Sequence, residues 1–121
     1  MRNSRKLKKL RNKAAEGQLG RCYYCREPMW DEDPRAFGER FSLSLAEALR
    51  YRCTAEHLHE KCKGGADEER NIVAACDFCN RTRHLAKRPK DAASFAKYVQ
   101  SRMKRGKWHP VRLERQRAPL R

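Results

Sequence analysis

No run of apolar residues in this 121-residue sequence approaches the length needed to cross a bilayer. The opening stretch MRNSRKLKKLRNKAAEGQLG also lacks the apolar core of a secretory signal. The expectation is therefore a cytoplasmic chain associated with the nucleoid, with no membrane partner. Acidic residues are scarce. The 15 Asp+Glu against 30 Lys+Arg leave a formal net charge of +15 and a pI near 10.1. Such a surface attracts phosphate polymers, although charge alone does not separate an enzyme from a ribosomal protein or a histone-like binder. There is no internal repeat. A chain of this length reads as one domain with arms, and its modest core calls for a metal or disulfide staple.

Cysteine is abundant, with six residues. In a reducing compartment paired cysteines bind metal rather than form disulfides. Cys22 and Cys25 form one CxxC pair, and Cys76 and Cys79 form another. Each such turn brings two thiolates to one ion, and two turns complete a tetrahedron, which suits a structural Zn²⁺. An iron–sulfur cluster or a redox pair are the rivals. No βαβ pattern accompanies the second, and nothing else points to electron transfer. Cys53 and Cys62 remain, read as small buried or loop thiols, with either able to replace a paired cysteine as a ligand.

The rest of the chain divides around these pairs. Residues 1–20 form a basic arm, either a solvated tail or a phosphate-binding element, anchored at most by Leu7 and Leu10. A segment at about 33–51 reads as two short helices. Asp33 caps the first with Pro34 at its first position, and Ser44 with Glu47 forms a capping box for the second. It is too short for a helix-turn-helix reader and is expected to pack on the core as an insertion. RCTAEHL and NIVAAC read as strands around a Gly-rich loop. From Asp77 the period becomes helical, with Phe78, Thr82, Leu85 and Ala86 on a packed face and Asn80, Arg83, His84 and Lys87 on a wet one. Pro89 ends it. A last helix spans Asp91 to about Arg105 with an apolar stripe of Ala92, Phe95, Ala96, Val99 and Met103. Residues 107–121 read as a loosely ordered basic tail, and His109 within it receives no role.

A longer constellation surrounds the second cysteine pair: Glu56-His57, Gly64-Gly65, Asn71, Cys76, Cys79, Asn80 and Arg83. Over residues 20–88 the sequence resembles the HNH endonucleases, the zinc-stapled branch of the ββα-metal (His-Me finger) nucleases. Glu56 stands where that family usually has Asp, Asn80 where it often has His, and Glu60 where Pro is frequent. The resemblance implies an α+β fold: a ββα-metal core at residues 21–88 carrying a structural zinc on four cysteines, with helices added on both sides, including one at 89–106.

Chemistry and resemblance together assign roles. His57 is the expected general base, since an imidazole titrates near neutrality. Glu56 and the Asn80 side-chain oxygen are the expected ligands of a catalytic Mg²⁺ or Mn²⁺. The resemblance gives Asn71 the task of holding loop and strand so that His57 points correctly. Arg83, His84 and Lys87 are expected to contact phosphate. His59, two residues from His57, is the competing base. In a regular strand Glu56 and His57 point to opposite faces, so the strand must bend or end there if both serve one site. The expected activity is hydrolysis of DNA by a monomer or homodimer with weak sequence preference. The alternative is a non-catalytic zinc module that binds DNA or RNA.

Overall fold

Two antiparallel strands, β1 (Cys53–His57) and β2 (Ile72–Cys76), form the sheet in a computed structural model that describes residues 2–60, 63–111 and 113. Their register pairs Cys53 with Cys76, Ala55 with Ala74 and His57 with Ile72 on one face. Thr54 with Ala75 and Glu56 with Val73 occupy the other face. A hairpin of this size is marginal alone. Here helices pack against it.

Helix α1 (Arg2–Gly17) lies against both strands. At its end the Gln18 carboxamide serves the edge of β2, accepting from the Ala74 N–H at 3.0 Å and donating to the Ala74 carbonyl at 2.8 Å. Arg11 forms a 2.7 Å ion pair with Asp31. The basic arm is thus a docked helix and not a free tail. Leu7 and Leu10 are only half-buried, and Gln18 and Arg11 supply polar anchors that a count of apolar residues does not register. Its outer face carries exposed Arg5, Lys6, Lys8 and Lys9.

Helices α2 (Pro34–Phe41) and α3 (Leu45–Leu49) begin as their caps dictate. Asp33 accepts from the Ala36 N–H at 3.0 Å. Both halves of the Ser44–Glu47 box form, at 2.8 and 3.1 Å. Phe37, Phe41 and Ala48 build a small core of their own with Tyr51 and Leu113. A larger core contains the four paired cysteines, Tyr24, Ala75 and the stripe Ala92, Phe95 and Val99 of α5 (Ala92–Lys104). Asp91 caps α5 at 2.8 Å, and Gly106 follows it at φ +68°, in the left-handed region.

Two further expectations are corrected. In α4 (Asp77–Leu85) the expected faces hold only in part: Phe78 packs on the core and His84 and Lys87 are exposed as expected, but Leu85 is 76% exposed and Arg83 is buried. The apolar period misled because the inward position is filled by a charge with its own buried partners. The segment after α5 is also not loose as far as it is described. Trp108 packs against Phe78 and Phe95, His109 is buried beside Tyr51, and Leu113 is fully enclosed. Arg112 and residues 114–121 lie outside the described residues. Leu113→Ala is expected to cost about 2–5 kcal/mol in urea denaturation, the range for a truncated core leucine; an unchanged midpoint would show that this strap contributes nothing.

Candidate functional site

The two cysteine pairs meet. Cys22, Cys25, Cys76 and Cys79 are buried, and their ligand atoms all lie within 4.8 Å of one another. A tetrahedral ion with ~2.3 Å bonds to sulfur sets neighbouring sulfurs ~3.8 Å apart; the Cys25 and Cys76 sulfurs are 3.9 Å apart. The N–H groups of Tyr24, Cys25 and Cys76 donate to the Cys22 sulfur at 3.3, 3.5 and 3.3 Å. The Trp108 indole donates to the Cys79 sulfur at 3.2 Å. Burial raises the Cys25 and Cys79 thiols well above their ordinary range. Burial acts on Cys22 in the same sense, but hydrogen bonds from the other three thiols bring it well below. Only a cation at the centre lets all four ionise together, and the donor set and spacing fit Zn²⁺. Cys53 is buried outside this cluster, with its thiol pushed up to about 11 by burial. Cys62 lies outside the described residues.

Tyr24, between the first two cysteines, reaches from the cluster to Glu56. Its hydroxyl donates to Glu56 Oε2 at 2.7 Å. Arg83 Nη1 donates to the same oxygen at 2.8 Å, with the two side chains 0% and 1% exposed. The guanidinium also donates to the carbonyls of His57 at 3.0 Å, Leu58 at 3.1 Å and Lys90 at 3.0 Å, and to Glu60 Oε1 at 3.0 Å. Burial opposes its charge, but the Glu56 hydrogen bond and the surrounding acids raise its pKa on balance. Arg83 is therefore a buried tie and not a phosphate contact: its donors are spent inside the protein. Burial, then the Glu56 charge, holds the Tyr24 phenol protonated.

His84 Nε2 lies 2.9 Å from Glu56 Oε1. Two donors bound side by side to one ion at ~2.1 Å would stand ~3 Å apart, so this pair has the spacing of adjacent ligands. Its contact is with the carboxylate expected to hold metal, which the phosphate role assigned from sequence did not anticipate. Asn80, one turn earlier, donates through Nδ2 to Thr54 Oγ1 and to the Ala55 carbonyl, both at 3.0 Å. That pins α4 to β1 and leaves Oδ1 as the atom it can offer an ion. Lys87, beyond α4, is exposed.

His57 goes the other way. Its Nε2 lies 2.7 Å from Asp67 Oδ1. The strand alternation that separates it from Glu56 is thus present, and among the described residues no hydrogen bond joins its ring to Glu56, Asn80 or His84. The two are linked instead through Arg83, which holds the Glu56 carboxylate and the His57 carbonyl with one nitrogen. Asn71 accepts from the His59 N–H at 2.8 Å and donates to the carbonyls of His59 and Ala66 at 3.1 and 2.9 Å. It staples the loop after β1 to the segment before β2. Gly64 has φ +91°, and a Cβ on Gly65 would run into the His59 carbonyl, so both glycines are required by the backbone. His59 itself is exposed. His109 packs against Tyr51 and Phe78; burial and the nearby Arg50 push its pKa down to about 4.

Sequence reasoning missed Tyr24, Asp67 and the inward turn of Arg83. The only signals were the second tyrosine of the first CxxC turn and the acidic run after Gly65, and neither carries a direction.

Residues 38–85 match the family model for HNH endonuclease. The matched stretch takes in both strands and α4; the first cysteine pair precedes it. Neither a curated protein nor a solved structure matches this chain. Among the described residues no helix is long and apolar enough to cross a membrane.

Arg83→Ala would leave Glu56 buried without its cation and is expected to cost about 3–5 kcal/mol in chemical denaturation. Arg83→Lys should recover little of it, because an ammonium cannot reproduce the planar set of donors.

Proposed function

We propose, from the match of residues 38–85 to the HNH endonuclease family model, that the chain is a metal-dependent nuclease hydrolysing DNA phosphodiester bonds. The observation that carries this reading is the convergence of Glu56 Oε1 and His84 Nε2, 2.9 Å apart, at the end of β1 where His57 follows in sequence. Glu56, His84 and Asn80 Oδ1 are the proposed ligands of one divalent cation. When bound, that cation supplies Lewis-acid polarisation of the phosphate and support for the departing oxygen. An imidazole donor inclines the set toward Mn²⁺ over Mg²⁺.

His57 is the proposed general base: with Glu56 and His57 on opposite faces at the end of β1, the scissile phosphate is proposed to lie between them and not on one shared face. His57 takes a proton from water, the water oxygen bonds to phosphorus, and the P–O3′ bond breaks with its electron pair leaving on O3′. Solvent reprotonates O3′, and His57 returns its proton to solvent. The family resemblance implies 5′-phosphate and 3′-hydroxyl ends. The net charge of +15 and the exposed cations of α1, together with Lys87, supply backbone attraction without base reading. Zinc in the four-cysteine cluster is proposed as the structural staple.

Purified protein is expected to contain about one zinc per chain by elemental analysis; iron with visible absorbance would overturn that assignment. Supercoiled plasmid should be nicked or linearised by wild type with Mn²⁺ or Mg²⁺ and not with EDTA. His57→Ala should lower cleavage by at least about 100-fold while DNA binding persists. Should wild type and variant behave alike with every metal while both bind DNA, the chain is a zinc-stabilised binding module.

A further inference from the structure

Asp67 has no part in the roles assigned so far, yet it makes a close polar contact to the proposed base. Its Oδ1 stands 2.7 Å from His57 Nε2, with side chains 9% and 15% exposed. Ten residues separate the two along the chain, so the contact depends on how the loop between the strands folds back. That folding is over-determined. Asn71 clamps the main chain of His59 and Ala66, the residue before Asp67. Gly65 donates its N–H to the Glu60 carbonyl at 2.9 Å and has no room for a side chain. Arg83 fixes the carbonyls of His57 and Leu58 from the other side.

We propose that Asp67 is a positioning residue for His57. An ionised carboxylate only accepts hydrogen bonds, so facing Nε2 it selects the imidazole tautomer that carries its proton there. The lone pair is then on Nδ1, the nitrogen left to accept a proton. The same bond limits rotation of the ring, so Nδ1 is both unprotonated and held in one orientation. A histidine without such a partner distributes between tautomers, and only one of them presents an acceptor at the required nitrogen. The inference rests on the nuclease reading for its catalytic meaning, while the tautomer it requires does not.

The test uses the zinc-loaded full chain, as wild type, Asp67→Ala and Asp67→Asn. Long-range proton–nitrogen NMR spectra of the histidine rings report the tautomer directly. The wild type is expected to hold His57 with its proton on Nε2, and Asp67→Ala to show a mixture or the Nδ1–H form. Asp67→Asn keeps an acceptor oxygen of the same size and should retain the wild-type tautomer and most of the turnover. In plasmid cleavage, kcat of Asp67→Ala should fall about 10–100-fold, the usual loss when the partner of a functional histidine is removed. KM should stay within about twofold, because substrate binding is not what is lost. An unchanged tautomer in Asp67→Ala, or an unchanged kcat, overturns the role of Asp67. An inactive wild type whose tautomer still shifts in Asp67→Ala overturns the nuclease reading instead, so the two failures are told apart.

Discussion

The packing of four buried thiols is the constraint from which the remaining architecture follows. A two-stranded hairpin with five residues in each strand cannot bury enough surface to hold itself. Here Cys76 is at once the last residue of β2 and the cap of α4, where its sulfur accepts from the Cys79 N–H at 3.4 Å. Cys22 and Cys25 bring the preceding turn onto the same point, and α5 closes over it through Phe95 and Val99. The cluster therefore sets where α4 starts and how it is aimed across the sheet. Tyr24 extends that influence to Glu56, so one side chain separates the four-cysteine cluster from the candidate site.

Around Glu56 the opposing terms are large. Removing a carboxylate and a guanidinium from water costs several kcal/mol for each ion, and their attraction offsets this only when the remaining donors and acceptors are matched. Arg83 meets that condition with three main-chain carbonyls besides two carboxylates. The consequence is geometric more than energetic. A strand sends successive side chains to opposite faces, and this hairpin sends Glu56 toward α4 and His57 toward the loop. A single guanidinium then holds the carboxylate of one residue and the carbonyl of the next, which locks their relative placement at the end of β1.

The loop between the strands works by the same logic with weaker bonds. Asn71 satisfies main-chain groups at both ends, the glycines allow the close return, and Asp67 arrives at the His57 ring. Basic residues are meanwhile kept outside this cage, on α1 and at Lys87, where they are exposed. Arg83 thus ties buried elements together, whereas those cations face solvent.

Features carried by neighbouring residues were legible from the order of amino acids. The Asp33 and Ser44 caps, the two strands, the stripe of α5 and the paired cysteines all depend on contacts within a few positions or on a fixed spacing, and they lie where expected. The resemblance over residues 20–88 has its counterpart in the family match at 38–85. Arg83, Leu113, Gln18 and Asp67 were not legible in this way. Each acquires its place from a partner distant in the chain, and an arginine at a helix position carries no mark of whether a buried glutamate awaits it 27 residues upstream. Local propensity and spacing specify which elements form; desolvation and the pairing of polar groups, which exist only once the chain has closed on itself, specify which charges turn inward.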